Sequence, residues 1–558
     1  MLKTIENTLL STLKDKKKKR WVIFGTFVAF VLSVMMIPTE LVLAKMLPGK
    51  ENNTFNIYID LPLGSSISQT QEVSECVVSF IQQEEAVLDT EVFLGMGSPL
   101  DFAGLIKGSH FKNSENLAEI VLNLKKAHHR DEPSYMMVKR LRPLISKSCG
   151  NIYADTSIKF VEPPAGPPVM AAIVAEIYGP DTAGIRHLAQ KIKEVFLDIP
   201  GLVDIDIMQD EIYDTFEIRV DSVKIARSGL NVKQVNDILY LAFEGMQIAV
   251  KNSSVYDDQI PIFLTLSSET KKFSSKNKTA IETKLASLRL MNTQGMMVPI
   301  TEVVKVVSIK SNPMIMTKNL HRMTNVVAET GMMSQVYPLM DARNIILKSF
   351  IADYEIEKIG LFNLQLTDKK THQLYQLVWD GEMEVTLDTF VDLGGAFIAA
   401  LVLIFLLMVI YYKSFKLSGI VLLGSFLSIV GVIVGHFIID IFTTNTFFLT
   451  ATSLIGFIAL IGISSRNSLL LLDFTKSLIF EKGMGQKEAI AYATATRAKP
   501  IFLTAVAIIL ASTLLASDAV FGGLGVALIF GTIAAVAASL IVVPVLMDNT
   551  DLKKEFSH

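Results

Sequence analysis

The sequence predicts a polytopic α-helical membrane protein, six transmembrane helices in a one-plus-five layout, with a large α+β insert after the first helix. Three observations carry that prediction. Apolar runs long enough to span a bilayer, which takes about 20 residues, cluster after residue 386, and one shorter run lies near the start. Between them, residues 46–385 hold none. That middle stretch instead alternates apolar and polar residues, or repeats apolar ones at helical spacing. The composition agrees: 558 residues, 50% hydrophobic, net charge −3 and mean hydropathy +0.42 are too apolar for one globular domain and too polar for helices alone. The near-neutral charge gives no reason to expect nucleic acid, and two cysteines, Cys76 and Cys149, are too few for a disulfide framework.

Residues 1–20 are polar and end in the basic run Lys16–Arg20, which places them on the cytoplasmic side. A retained membrane helix is expected over 21–45, since no small-residue cleavage site follows the apolar run. Five further runs are expected at 390–412, 417–439, 447–473, 500–517 and 520–546, within a membrane domain of 386–547, with a cytoplasmic tail at 548–558. Lys413, Lys416, Lys476, Lys482, Lys487, Arg497, Lys499, Lys553 and Lys554 all fall on one side, while the opposite loops carry Asp440 and Asp518. Both termini are therefore expected in the cytoplasm.

In the insert, Val73, Cys76, Val77, Phe80 and Ile81 share one helix face. A strand ending at Tyr178 leads through Gly179-Pro180-Asp181 into a helix with Ile185, Leu188, Ile192, Val195 and Phe196 inward. Val203–Ile207 and Phe216–Asp221 then alternate strictly. This β-α-β-β order opens a ferredoxin-like split βαβ unit, completed near Val326–Glu329, Leu339–Ile351 and Leu364–Leu366 with an insertion inside it. A similar unit is expected over Phe55–Phe160. Pro163–Pro168 reads as a stiff connector.

The chemistry concentrates in Phe447–Phe474 and Arg497–Thr504. Arg466 and Asn467 sit inside an apolar run, Arg466 on the order of 10 Å from the end marked by Asp473. A guanidinium there is permanently charged and costs several kcal/mol unless it finds water or a counter-charge. Thr504 lies seven residues after Arg497, on the same face. Asp388, Asp392, Asp440, Asp473 and Asp518 all sit at helix ends, so the apolar runs hold cations and hydroxyls without a matching acid.

Gly462–Ser468 running into Leu472-Asp473-Phe474, Glu488-Ala489, and Arg497–Thr504 resemble the C-terminal half of a resistance-nodulation-division (RND) efflux pump of the AcrB type. Trp379–Glu382, Pro163–Pro168 and Phe521–Leu524 agree. The resemblance covers essentially the whole chain. It implies a secondary active transporter, a proton antiporter rather than an enzyme, in the bacterial inner membrane with a large periplasmic domain. It needs no cofactor beyond the proton gradient. It implies porter subdomains at 46–175 and at 176–222 with 341–385, and a docking insertion at 223–340. Arg466, Asn467, Arg497 and Thr504 become one side of a proton relay. Its Asp-Asp pair would come from a separate N-terminal-half polypeptide. Other implied partners are a periplasmic adaptor and an outer-membrane channel, in a trimeric assembly exporting small hydrophobic or amphiphilic compounds. Gly97–Gly104 matches the family's substrate-path loop, through Gly97, Pro99, Asp101, Phe102 and Gly104; as plain sequence it is a Gly/Pro-rich surface loop.

Two other readings stay open. A SecD-like translocation accessory shares the one-plus-five layout but carries an acid where this chain has Ser465-Arg466-Asn467. A metal-exporting RND half would suit the 23 methionines, though methionine is more often a gap-filler. No nucleophile–base pair, P-loop or nucleotide site stands out, and pairing of Cys76 with Cys149 stays open.

Overall fold

The computed structural model describes residues 2–48, 51–100, 102–109, 112–163, 166, 169–256, 259–271, 277–331, 333–443, 446–518 and 520–556. Two helices come first. α1 (Leu2–Lys14) buries Leu9 and Leu13. α2 (Lys16–Met35) is capped by Asp15, whose carboxylate accepts the Lys17 N–H at 2.8 Å. The helix expected over 21–45 stops at Met35 and passes into turns around Pro38, which has no N–H to extend the ladder. Ala44 then bridges in parallel to Leu449, with the Lys45 N–H donating to the Leu449 carbonyl at 3.1 Å. The apolar part of α2, Trp21–Met35, is only about 22 Å long. Among the described residues, five helices are long and apolar enough to cross a membrane, and α2 is not one of them.

The first α/β unit contains β1 (Thr54–Asp60), α3 (Ile67–Ile81), β2 (Val87–Met96), α4 (Phe102–Lys107), β3 (Asn113–Leu124), α5 (Ser134–Ser148) and β4 (Ser157–Val161). Its antiparallel sheet runs β2-β3-β1-β4, with Ile57 opposite both Ile120 and Phe160. α3 and α5 cover one face with Val73, Val77, Ile81, Leu141 and Ile145. This is the split βαβ unit expected over Phe55–Phe160. Cys76 and Cys149 are disulfide-bonded, tying α3 to the residue that caps α5.

The second α/β unit begins with β5 (Ile173–Tyr178), α6 (Thr182–Leu197) and β6 (Leu202–Met208). Gln209–Met314 then forms a compact unit of its own. It holds β7 (Asp214–Val220), α7 (Ser222–Arg227), α8 (Val232–Phe243), β8 (Met246–Lys251), β9 (Ile260–Leu264), α9 (Ser268–Lys271), α10 (Lys278–Ala286), β10 (Arg289–Met291), β11 (Met297–Pro299) and β12 (Val304–Lys310). β7 pairs with β12, over a core of Ile225, Val235, Leu285 and Ile300. The chain resumes with β13 (Thr317–Lys318), β14 (His321–Thr330), α11 (Val336–Ser349), β15 (Tyr354–Ile359), β16 (Asn363–Asp368) and β17 (Leu374–Asp380).

β14 pairs with both β5 and β6, setting Val326 opposite Ala175 and Ile207, and the sheet continues through β17, β16 and β15. Two expectations are corrected here. Phe216–Asp221 is the first strand of the insert, not the third strand of the sheet. The insert spans Gln209–Met314, not 223–340, and the second unit resumes before 341. β14 buries Met323–Val326 and Ala328, as a central strand must, whereas β7 keeps Asp214, Glu217 and Arg219 in solvent. Period-2 alternation names a strand but not its neighbour.

The membrane helices follow: α12 (Glu382–Tyr412), α13 (Phe415–Phe426) leading through Leu427 into α14 (Ser428–Phe442), α15 (Ala451–Phe480), α16 (Gln486–Ala516) and α17 (Gly522–Ala537). A π-helical turn, Ala538–Val542, joins α17 to α18 (Val543–Asp548), and α19 (Leu552–Phe556) ends the described chain. Gly381 makes the turn from β17 into α12 at φ +88, where a Cβ would stand 2.5 Å from the Ala171 carbonyl oxygen. No other residue fits there.

The disulfide closes a loop with a sequence separation of 73, worth about 4 kcal/mol in the chain-entropy description. Thermal unfolding of the full chain followed by near-ultraviolet circular dichroism should therefore shift downward on adding reductant, and the Cys76→Ser/Cys149→Ser variant should start from that lower midpoint. Identical midpoints with and without reductant would show that the pairing adds no stability.

Candidate functional site

α15 carries the predicted membrane cation. Thr450 caps it, accepting the Ser453 N–H at 3.3 Å. Gly456, Leu460, Ser464, Asn467, Ser468 and Leu471 form its buried face. Ile455, Ala459, Gly462, Arg466 and Leu470 recur at three- and four-residue spacing on the opposite, exposed face. Arg466 is thus turned out of the bundle, while Asn467, one helical step on, is turned into it. Among the described residues Arg466 has neither an ion-pair nor a hydrogen-bond partner. Asp473, the one acid the sequence offered nearby, instead accepts the Tyr412 hydroxyl at 2.9 Å and the Tyr411 hydroxyl at 3.4 Å.

On α16, the Arg497 guanidinium lies over the Phe474 ring, 5.1 Å from its centroid. Thr504 is exposed and its hydroxyl donates back to its own helix, 2.9 Å from the Ile501 carbonyl. No hydrogen bond or ion pair joins Arg466, Asn467, Arg497 and Thr504 to one another among the described residues.

One buried polar group in the bundle escaped the sequence reading. His436, in α14, has Nδ1 2.8 Å from the Val432 carbonyl and Nε2 2.8 Å from Ser453 Oγ. A carbonyl only accepts, so Nδ1 carries the proton, and in the neutral ring Nε2 then accepts from the Ser453 hydroxyl. Thr450 and Thr452 extend this chain of hydroxyls to the Val520 carbonyl. A lone histidine inside the apolar run at 417–439 was the available signal.

A second charged site lies between the two α/β units. Lys107 in α4 pairs with Glu329 in β14 at 2.7 Å, Arg142 in α5 with Asp204 in β6, and Lys159 in β4 with Asp206. All three cations stand on the first unit and all three acids on the second. Burial works against the Lys159 charge, but Asp60 and Asp206 outweigh it and hold its pKa above the ordinary value. At Asp204 burial wins instead, and its pKa is raised despite Arg142.

Lys107, Glu329 and Arg142 also line a cavity of about 160 Å³, together with Lys45, Glu162 and Glu382 and with Phe160 and Phe448 as apolar wall. Glu162 and Glu382 have no ion-pair partner among the described residues. Burial pushes the Glu162 carboxyl up to about 7, against the opposing charge of Arg142. No group of three or more His, Cys, Asp or Glu among the described residues could hold a metal ion.

The predicted loop is anchored at both ends. Ser98 donates its N–H and hydroxyl to the buried Glu119 carboxylate, at 2.8 and 2.9 Å, and Asn56 Nδ2 donates to the same group at 2.6 Å. Gly97 lies so close to the Ser109 carbonyl that a Cβ would stand 2.3 Å from its oxygen. Pro99 is exposed, and Gly104 is buried in α4, whose last residue Lys107 makes the cross-unit pair. Asp101 and the Phe102 side chain lie outside the described residues. The segment thus connects the first sheet to the second unit, which its Gly/Pro content alone did not reveal.

Glu162 gives this cavity a measurable signature. A carboxyl raised from 4.5 to about 7 binds its proton more tightly folded than unfolded, so stability is lost as pH rises between those values. The loss is on the order of 3 kcal/mol at most, at about 1.4 kcal/mol per unit. Thermal midpoints measured from pH 5 to 7.5 should fall more steeply for the wild type than for Glu162→Gln. Parallel curves would mean that the carboxyl is hydrated.

Comparison with known proteins follows the same outline. The chain is 22% identical to the swarming motility protein SwrC of Bacillus subtilis (strain 168), over 96% of its own length and 46% of the relative's. It is likewise 22% identical to the cobalt-zinc-cadmium resistance protein CzcA of Cupriavidus metallidurans, over 88% and 44%. The crystal structure of a heavy metal efflux pump superposes on 97% of the chain with a TM-score of 0.72 at 19% identity, covering 51% of that structure. The chain spans about half the length of the relatives it matches. These relatives include metal-efflux proteins, which departs from the amphiphile exporter the sequence suggested. Residues 3–548 match the AcrB/AcrD/AcrF family, and the chain belongs to that family of RND transporters.

Proposed function

We propose that this chain is one half of a proton-driven RND efflux pump of the bacterial inner membrane, and that its cargo is a metal cation. The observation that carries the half-pump reading is the uncovered stripe of α15, where Arg466 faces outward without an ion-pair partner among the described residues. A fixed charge at that depth calls for a counter-charge. A second polypeptide with a mid-membrane Asp-Asp pair would supply it, beside Asn467, Arg497 and Thr504. In this reading the α/β units are porter subdomains, Gln209–Met314 is the docking insertion and Gly97–Gly104 is the loop along the substrate path. Both termini are cytoplasmic, and a trimer delivers cargo to an adaptor and an outer-membrane channel.

For the cargo, the metal-resistance relative and the metal-pump fold favour a cation. The cavity does not carry that choice: Glu162 and Glu382 face it together with Lys45, and no group of three or more His, Cys, Asp or Glu among the described residues could hold a metal ion. Small amphiphilic substrates, the expectation from sequence, have the aromatic wall in their favour and less support from the relatives. The relatives named above do not include a SecD-like protein.

Co-expression with the complementary half in a metal-sensitive host tests both parts. Tolerance to zinc, cobalt or cadmium should rise. Arg466→Ala should abolish it by removing the charge that keeps the aspartates ionised, and Arg466→Lys should keep part of it. Tolerance to amphiphiles alone would overturn the cargo. Transport by this chain alone, in vesicles with an imposed pH gradient, would overturn the half-pump.

A further inference from the structure

We propose that α2 and the helices beside it form a binding site for one anionic phospholipid. The proposal goes beyond the export reading and does not rest on it.

α2 opens with five consecutive basic residues, Lys16–Arg20. Two are engaged: Lys19 pairs with Asp548 at 2.7 Å, and Lys18 donates to Ser11 Oγ at 3.0 Å. Lys16, Lys17 and Arg20 are exposed and have no acidic partner among the described residues. Trp21 follows directly, 71% exposed, at the level where a bilayer places aromatic side chains beside headgroups.

An open groove of about 400 Å³ starts at Trp21 and runs along α2 past Gly25 to Ala29, about 12 Å of helix. Its far wall comes from Val430, Ala534 and Ile541, among others. It contains no charged side chain, and its one hydroxyl, Thr26, already donates to the Val22 carbonyl at 2.7 Å. The Lys19–Asp548 pair ties the basic end of α2 to the end of α18, so headgroup-level cations and apolar groove lie in line along one helix.

The arrangement matches one molecule class. A phospholipid has an apolar tail for the groove and a phosphate for the basic residues. An additional net negative charge uses the three unengaged cations, which attract anionic headgroups by charge alone. A zwitterionic lipid would fill the groove without answering that charge, and a free phosphate would do the reverse.

The test uses the full chain in phosphatidylcholine vesicles containing an equal, minor fraction of acyl-brominated phosphatidylglycerol or acyl-brominated phosphatidylcholine. The readout is quenching of Trp21. The chain has two tryptophans, and the Trp21→Phe variant supplies the background from the other. Brominated phosphatidylglycerol should quench Trp21 preferentially, and removing one of the three cations should lower the preference about fivefold, the factor expected for one basic residue near an anionic surface. Lys16→Gln/Lys17→Gln/Arg20→Gln should abolish it.

Gly25→Leu separates groove from surface charge. A Cβ at Gly25 meets nothing within 4 Å, so leucine fits the folded helix and fills the groove. Preferential quenching should then fall with the basic run intact. Equal quenching by both lipids in the wild type overturns the proposal. So does a preference unchanged by Gly25→Leu, which would leave only surface attraction. Weak quenching by both lipids, with Trp21 shielded by a second copy or a partner chain, overturns it as well.

Discussion

A guanidinium keeps its proton at any working pH and is poorly tolerated bare in hydrocarbon. That constraint governs the membrane half of this protein. The buried face of α15 mixes leucines with small and polar residues that let neighbouring helices approach, and Arg466 falls on the other face. The bundle does not fold around its most expensive residue. It presents that residue at a surface, and the local acid that could have answered it, Asp473, is bound by two tyrosines of α12. An internal ion pair would have closed the site within this chain; its absence among the described residues leaves an exposed face with a charge requirement.

Charge is handled differently in the α/β units. There the acids and bases sit on facing elements and meet across the cleft, cations on α4, α5 and β4, acids on β6 and β14. Buried pairs of this kind contribute little net stability, because desolvation offsets much of the attraction. They do make the closeness of the two units sensitive to salt and to protonation. Glu162, desolvated and without an ion-pair partner among the described residues, sits where such sensitivity would be felt.

His436 shows how a polar group survives in an apolar bundle without charge. Both ring nitrogens are hydrogen-bonded, one to its own helix and one to the first turn of α15, so the neutral imidazole is fully satisfied. Arg466 has no neutral form and no such option, which is why the two residues occupy opposite kinds of surface.

Much was legible in the sequence. Apolar run length located the five membrane helices, because a bilayer imposes a minimum length that composition reveals directly. Helical and period-2 spacing located α3 in the first unit and β5, α6, β6, β14, α11 and β16 in the second, since burial of one face imposes that spacing. The residue types at 466, 467, 497 and 504 announced charge and hydroxyls in an apolar setting. Tertiary structure decided what periodicity cannot encode. Phe216–Asp221 left the sheet to pair with β12, because strand partners are chosen by complementary faces far apart in sequence. α2 stopped at Met35, where Pro38 and the bridge to Leu449 redirect the chain. Cys76 met Cys149 because two helices pack on one sheet. Above all, only the packing of α15 showed which side Arg466 takes: a helix sequence fixes the angle between two residues, and its neighbours decide which angle points outward.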